Sequence, residues 1–278
     1  MPFQMPAAAA PAGLTLRTAD REPLLGFYRD VLGLSASVSD GVISLRPDRN
    51  GFTLRLEVDP QAPPRPARAL GLYHFALLLP TRAALAAIVR RLRDVTYPVD
   101  GASDHAVSEA VYLRDPEGNG IELARDRPKK QWRYNNGEMA MVSDALDLDG
   151  LLRETRTASG LHPATRLGHM HLSVADLSSG EAFYAGLLGL TVTQRTYPGA
   201  LFLAAGDYHH HLGMNIWGAR RPAPAGATGL VGYVWRLPLG STADLRTHLT
   251  GAGMPHGDRH GGIAVTDPIG LEVELAEG

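Results

Sequence analysis

Two segments of the chain are apolar runs, and directly after each of them the apolar residues take up a helical spacing. The segments GLYHFALLLP (71–80) and GLVGYVWRLP (229–238) end at proline and are typical of buried strands. Each is followed by a run with apolar residues three or four positions apart, TRAALAAIVRRLRD (81–94) and STADLRTHLTGAG (241–253). Because Thr or Ser at the head of such a run is a favoured N-cap, we predict a strand followed by a helix at both places.

Two further pairs of segments also repeat. LLGFYRDVLGL (24–34) is similar to GEAFYAGLLGL (180–190), and DPEGNGIEL (115–123) is similar to DPIGLEVEL (267–275). The first pair places Phe-Tyr before an amphipathic turn, and the second is an Asp-Pro turn that leads into a strand carrying Glu. These repeats predict four modules, each made of a strand, a helix and several short strands.

The repeats also give the expected boundaries, with modules 1 and 2 in one half (13–126) and modules 3 and 4 in the other (167–278). The expected segments are a loose N-terminal tail (1–12), module 1 (13–60), module 2 (70–126), a linker with a short helix (127–166), module 3 (167–219) and module 4 (229–278).

Composition narrows the possible functions. A net charge of −2 gives no long-range attraction to nucleic acid or to an anionic membrane. No stretch approaches the roughly 18 apolar residues that span a bilayer, and the N-terminus lacks the basic start of a secretion signal. We therefore expect a cytoplasmic protein. Because the chain has no cysteine but 11 histidines, any metal site must use His, Asp and Glu.

Two histidines break the symmetry of the repeats. Alignment of the opening strands on the following helices places Gly13, His74, His169 and Gly232 at equivalent positions, so only modules 2 and 3 carry His there. A lone strand histidine is more often structural than a ligand. Two at the same position of two repeats, and absent from the other two, favour a shared function.

The closing strands add a carboxylate and a group of histidines. Glu122 of module 2 and Glu274 of module 4 fall at matched points. In module 3 the segment YHHHLGMNIW (208–217), taken as a strand, places His209 and His211 on its polar face, in the region that matches Glu122.

Together, His74, His169 and Glu122 form a set of two histidines and one carboxylate. That donor set suits non-haem Fe(II), with Mn(II) or another divalent ion as an alternative, and it leaves positions for substrate and O₂. His211 is then a nearby base, and Tyr112 could reach the same cavity. His105 and Ser108 are weaker candidates for residues of the same site.

At these residues the chain resembles the vicinal oxygen chelate superfamily, which includes glyoxalases, fosfomycin- and bleomycin-resistance proteins and extradiol dioxygenases. GHMHLSVADLSSGEAFYAGLLGL (168–190) is similar to the opening strand and helix of the family, and DPEGNGIEL (115–123) to its closing strand. The segments 71–80, 101–128 and 208–217 are most similar to the catechol-2,3-dioxygenase branch. The resemblance covers nearly all of both halves.

The resemblance implies an α+β fold in which four tandem βαβββ modules form two cup-shaped, barrel-like mixed sheets with flanking helices. It assigns the metal to His169, His74 and Glu122, the base to His211, or to His209 if the register differs, and the hydrogen-bonding tyrosine to Tyr112. In better-known extradiol enzymes the ligands come from the last two modules. Here the set is complete only if modules 2 and 3 share one sheet while modules 1 and 4 share the other.

Three functions follow as hypotheses. The first is ring cleavage of a small aromatic, catechol-like substrate by O₂. The second is a glyoxalase-like metal-dependent isomerase or lyase, which in the family uses a carboxylate from each closing strand; a His in one closing strand counts against it. The third is a non-enzymatic binder of a small drug, for which an intact ligand set is unnecessary. We expect no nucleic-acid or membrane partner, and a homodimer is possible.

Overall fold

The computed structural model describes residues 3–39, 41–48, 51–218 and 221–278. In modules 1 and 2 the predicted order of strand, helix and short strands is present. The elements of module 1 are β1 (Ala10–Thr18), α1 (Arg21–Leu25), a π-helical turn π1 (Gly26–Val31), β2 (Ser35–Ser39), β3 (Val42–Arg46) and β4 (Thr53–Val58). Those of module 2 are β5 (Gly71–Leu78), α2 (Arg82–Asp94), β6 (Gly101–Asp104), β7 (Ser108–Arg114) and β8 (Gly120–Asp126).

The second half repeats this order after a linker with short elements. The linker contains a 3₁₀ turn (Lys129–Gln131), β9 (Tyr134–Asn135), β10 (Glu138–Met139), β11 (Asp144–Ala145) and α3 (Leu148–Arg153). Module 3 comprises β12 (Arg166–Ser173), α4 (Leu177–Glu181), a π-helical turn π2 (Ala182–Leu187), β13 (Thr191–Gln194), β14 (Ala200–Ala204) and β15 (Leu212–Asn215). Module 4 comprises β16 (Gly229–Leu237), α5 (Ser241–Gly251), β17 (Gly257–Arg259), β18 (Gly262–Thr266) and β19 (Glu272–Glu277).

The hydrogen-bonded strand order confirms the predicted pairing of modules. Within the described residues, one sheet has nine strands in the order β11-β6-β7-β8-β5-β12-β15-β14-β13, which joins the strands of modules 2 and 3. Another has eight in the order β17-β18-β19-β16-β1-β4-β3-β2, which joins those of modules 4 and 1. The fold is therefore α+β with mixed sheets, as predicted.

The chain also divides into two compact units. One consists of Met1–Leu16, Pro63–Tyr73 and His169–Gly278, and the other of Arg17–Ala62 and His74–Gly168. The divisions fall inside β1, β5 and β12.

The N-termini of α2 and α5 are stabilised in two different ways. Thr81 caps α2 as predicted, because its side chain accepts a hydrogen bond from the Ala84 amide. The N-cap of α5 is Gly240, which has no side chain, and Glu277 of β19 instead accepts hydrogen bonds from the amide and hydroxyl of Thr242. The hydrogen bond from the Thr242 hydroxyl is the main cause that lowers the pKa of Glu277 to about 2.

Module 3 shows how the opening strand presents two different faces. Met170 and Leu172 are fully buried and alternate along β12 with His169 and His171. On β15, Met214 lies under α4 so closely that a Cβ at Gly180 would be 2.5 Å from its sulfur. The apolar face of this part of the sheet is thus covered by helix, and the histidines lie on the opposite face.

The N-terminal segment differs from the expected loose tail. β1 begins at Ala10, and Met5 and Ala9 are buried. The amide of Met5 donates to the carbonyl of Gly189, and the side chain of Gln4 donates to the same carbonyl. The small residues of this segment pack against module 3, a partner that lies far away in sequence.

Among the described residues, no helix is both long enough and apolar enough to cross a membrane.

Candidate metal centre

His74 and Glu122 are brought together by two parallel strands of module 2. β5 pairs with β8 so that Ala76 lies opposite Glu122, and His74 is two residues earlier on the same face of β5. Both side chains are buried, and His74 Nε2 lies 3.1 Å from Glu122 Oε2. The imidazole nitrogen and the carboxylate oxygen are both donor atoms that divalent transition-metal ions bind.

His169 completes the predicted set. It lies on β12 and is 4% exposed. One potential ligand atom from each of His74, Glu122 and His169 lies within 4.8 Å of the other two. Ligand atoms around one ion at bonds of about 2.0–2.2 Å are separated by roughly 3–3.5 Å, so these residues fit a metal after small side-chain movements.

Strand register shows which residues replace this set in the other modules. In module 4, β16 pairs with β19 so that Val234 lies opposite Glu274, as Ala76 lies opposite Glu122. Gly232 therefore takes the place of His74, as the sequence predicted. A Cβ at Gly232 would lie 2.5 Å from a backbone oxygen, so no larger side chain fits there without movement.

Module 3 corrects the prediction that histidine matches Glu122. β12 pairs with β15 so that His171 lies opposite Gly213, and His169 is two residues before His171. Gly213 is thus the residue equivalent to Glu122. A Cβ there would lie 3.1 Å from the ring of His171, so this imidazole occupies the space beside the missing side chain.

The assignment of His209 and His211 to the polar face of a strand is wrong, because β15 begins only at Leu212. The ring of His211 stacks on Tyr208 and lies 5.8 Å from the buried Trp235, and its Nδ1 accepts a hydrogen bond from the Ala205 amide.

His210, the middle residue of the histidine triplet, lies beside His169. Its ring centroid is 4.2 Å from that of His169. A hydrogen bond of 2.8 Å joins its Nδ1 to that of His209, and all three residues are buried. The strand pattern could not identify His210, because the backbone bends before β15; the only signal was the triplet itself.

Tyr112 and His105 form a second pair beside Glu122. On antiparallel strands β7 and β8, Tyr112 lies directly opposite Glu122, and its ring is 5.6 Å from that of His74. His105 Nδ1 donates to the carbonyl of Val142 at 2.6 Å, so in the neutral ring Nε2 accepts from the Tyr112 hydroxyl at 2.5 Å.

Ser108 and His260 lie outside the metal set, and each has a local structural contact. Ser108 is buried, and its carbonyl accepts the amide of His105, which closes the turn between β6 and β7. His260, which was not a sequence candidate, has its Nδ1 3.3 Å from Glu274 Oε2 in module 4.

Comparison with known proteins identifies the family. The family model "Glyoxalase/Bleomycin resistance protein/Dioxygenase superfamily" matches residues 11–123. A "Catechol-2,3-dioxygenase" from Bacillus subtilis (strain 168) is 40% identical over 268 residues, which is 93% of each chain. The protein belongs to this superfamily. A second superfamily relative, "Biphenyl-2,3-diol 1,2-dioxygenase 3" from Rhodococcus globerulus, is 29% identical over 133 residues, 46% of this chain and 70% of that protein.

Solved structures share the superfamily fold. A Bacillus subtilis structure has a TM-score of 0.70 at 16% identity and covers 99% of this chain and 86% of its own. Glyoxalase I from Zea mays has a TM-score of 0.60 at 14% identity, covering 97% and 92%. At such identities the likeness establishes the fold alone. Chemistry must therefore be argued from the site.

Proposed function

We propose that this protein is a metal-dependent extradiol dioxygenase that cleaves the ring of a catechol-type substrate with O₂. The observation that carries the proposal is the buried convergence of His74, Glu122 and His169. The extensive identity to a catechol-2,3-dioxygenase supports the same reaction class.

The three residues would hold one divalent metal, Fe(II) in the first instance and Mn(II) as the alternative. When bound, such an ion supplies Lewis acidity and open positions that bring an aromatic diol and O₂ together. Glu122 contributes one negative charge, and the two imidazoles are neutral donors. Burial of all three side chains keeps bulk water from competing for the same positions.

His210 is the best-placed group for proton transfer. Its ring packs on that of His169, and the hydrogen bond to His209 fixes the orientation of the imidazole. A positioned histidine can take a proton from a substrate hydroxyl and return it to the product. His211 and His209 were the sequence candidates; His211 is turned toward Trp235, and His209 supports His210.

Tyr112 and His105 would act beside His74 and Glu122. Tyr112 lies near His74 and Glu122 in the sheet, and because its one hydroxyl proton goes to His105, its oxygen can accept a hydrogen bond from a substrate hydroxyl. His105 is half-buried and is held by the Val142 carbonyl, so it can accept the phenolic proton and stabilise that orientation. The pair would orient a substrate hydroxyl for the reaction.

The two alternative functions have less support. An isomerase of the glyoxalase type needs a carboxylate from each closing strand, and Gly213 stands where the second would be. A drug-binding protein does not require the convergent ligand set.

The test begins with anaerobically purified protein loaded with Fe(II) or with Mn(II), mixed with catechol and air. We expect O₂ uptake equal to catechol consumption, together with a yellow ring-fission product, because both oxygen atoms enter the product. The same protein is assayed with a glyoxalase substrate, the hemithioacetal of methylglyoxal and glutathione. If the protein isomerises that compound and takes up no O₂ when catechol is supplied, the proposal is contradicted and the isomerase is favoured.

A further inference from the structure

β2 (Ser35–Ser39) forms an edge of the eight-stranded sheet. It is the last strand in that sheet, and among the described strands it pairs with β3 alone. All five of its residues are exposed, none is charged and none is proline, and its register with β3 runs without a shift. A regular edge strand presents main-chain N–H and C=O groups on its outer side, so it can pair with a further strand.

The other three edges of the two large sheets are protected. β17 has three residues, of which Asp258 and Arg259 are charged and form ion pairs. β11 has two residues, one of them Asp144. β13 has a shift in its register with β14, and Gln4, from the segment before β1, donates to the hydroxyl of Thr191 at its first residue. Short length, charge, irregular register and cover are the ways in which proteins prevent edge pairing, and the described residues of β2 show none of them.

The apolar face of the sheet continues to this edge. Strand register places Leu56, Ile43 and Val38 side by side on β4, β3 and β2, and their exposure rises from 0% to 3% to 70%. The neighbouring row pairs the buried Leu45 with the exposed Ala36. Val38 is thus the outer end of a row of core residues, and an apolar residue on an added strand would extend the row and bury it.

The sequence of β2 is complementary to itself. In an antiparallel pair of two copies centred on Ser37, each Ser37 lies opposite the other, and Ala36 lies opposite Val38 of the partner subunit. Apolar residues then meet on one face and serines on the other, and no charge faces a like charge. A shift by one residue would place serine opposite valine and turn the apolar row of one copy to the polar face of the other, so the register centred on Ser37 is favoured.

We propose that two copies of this chain associate as a homodimer through β2, in the antiparallel register centred on Ser37. A second copy is the occupant that the self-complementary pattern specifies, and twofold symmetry closes the assembly at two subunits. One pair of five-residue strands is small beside the roughly 1,200–2,000 Å² of a typical stable interface, so the dimer should dissociate on dilution. This interface is independent of the proposed dioxygenase function.

Sedimentation equilibrium between about 1 and 100 µM measures this association. The native protein should be a monomer at the lowest concentration and shift toward dimer at the highest. Val38→Lys should raise the dimer dissociation constant roughly tenfold or more, because two ammonium groups would then lie near the twofold axis and the apolar row would end in a charge. Leu239→Lys adds the same charge at a residue that is 84% exposed and lies outside β2, so it should leave the dissociation constant unchanged.

Single cysteines test the register directly, because the chain has none of its own. With diamide as the thiol oxidant, Ser37→Cys should form a disulfide-linked dimer, since opposite residues of the two copies lie about 4.5–5.5 Å apart, within the range that a disulfide spans. Ser35→Cys is the matched control, because Ser35 is exposed on the same face of β2. Its two copies would be four strand positions apart, about 13 Å, so it should cross-link much more slowly.

Three results bear on the proposal. A native protein that stays monomeric throughout this range would overturn it and leave the edge to a strand of another protein or to none. A dimer that Val38→Lys leaves intact, or equal cross-linking of the two cysteine variants, would place the contact elsewhere on the surface and also overturn it. If Val38→Lys is not folded by circular dichroism, the comparison of Ser37→Cys with Ser35→Cys decides.

Discussion

At the scale of single residues, side-chain type was easier to predict from sequence than side-chain direction. His74 and His169 stand out in the sequence because they are exceptions within a repeat, and Glu122 because the matching strand carries Glu274; strand alternation is reliable where a strand exists. The histidine triplet precedes β15, where no period-two rule applies. Direction there is decided by tertiary packing, which places His210 on His169 and turns His211 toward Trp235.

A pair of variants separates these two histidines. His210→Phe should keep the metal and lower turnover by roughly a hundredfold or more, the usual contribution of a positioned acid–base group. His211→Phe should keep most turnover and instead lower stability, because the Ala205 amide loses its acceptor. Metal content, turnover and urea unfolding are measured for both. If turnover is normal in His210→Phe but is lost in a His211→Phe variant that remains folded, His211 is the base and the assignment to His210 is wrong.

At the scale of elements, the repeated sequences are explained by a buried hydrogen bond that occurs once in each half of the chain. Tyr28 in π1 donates to Asp115, and Tyr184 in π2 donates to Asp267, at 2.8 and 2.6 Å. The Phe-Tyr and Asp-Pro repeats are therefore partners, and each bond links consecutive modules of one half. The sequence displayed both repeats, but not their pairing, because the partners are 87 and 83 residues apart. Burial raises the pKa of Asp115, although its backbone and side-chain hydrogen bonds act in the opposite direction.

Tyr28→Phe tests the importance of this bond. Asp115 is buried and also accepts from the backbone amides of Glu117 and Asn119 and from the Asn119 side chain, so loss of the tyrosine hydroxyl removes one of the two hydrogen bonds to Oδ2. We expect the free energy of unfolding in urea to fall by about 1–3 kcal/mol. The exposed Tyr134 gives the matched control, since Tyr134→Phe should change it by less than about 0.5 kcal/mol. Equal effects of the two variants would show that the buried bond is not specifically stabilising.

At the scale of the whole molecule, the four modules and their pairing could be predicted, because repeats determine how strands can be shared. The strand orders of the two large sheets agree with that prediction. Features that depend on distant partners could not be predicted. The segment before β1 appears loose in composition yet packs on Gly189, and α5 is capped by Glu277 from the last strand. The homodimer stays a prediction.

The central claim is that one metal is bound by residues of modules 2 and 3. Its matched control lies in module 4, where Glu274 has the same register as Glu122 and Gly232 takes the place of His74. Glu274→Gln removes an equivalent carboxylate without touching the proposed centre.

The most direct measurement is metal content after anaerobic loading with Fe(II) and removal of excess ion. We expect about one ion per chain in the native protein and in Glu274→Gln, since the donor set describes a single site. His74→Ala and Glu122→Ala should lose most of it while remaining folded by circular dichroism. Full occupancy in folded His74→Ala, or loss of the ion in Glu274→Gln, would contradict the account.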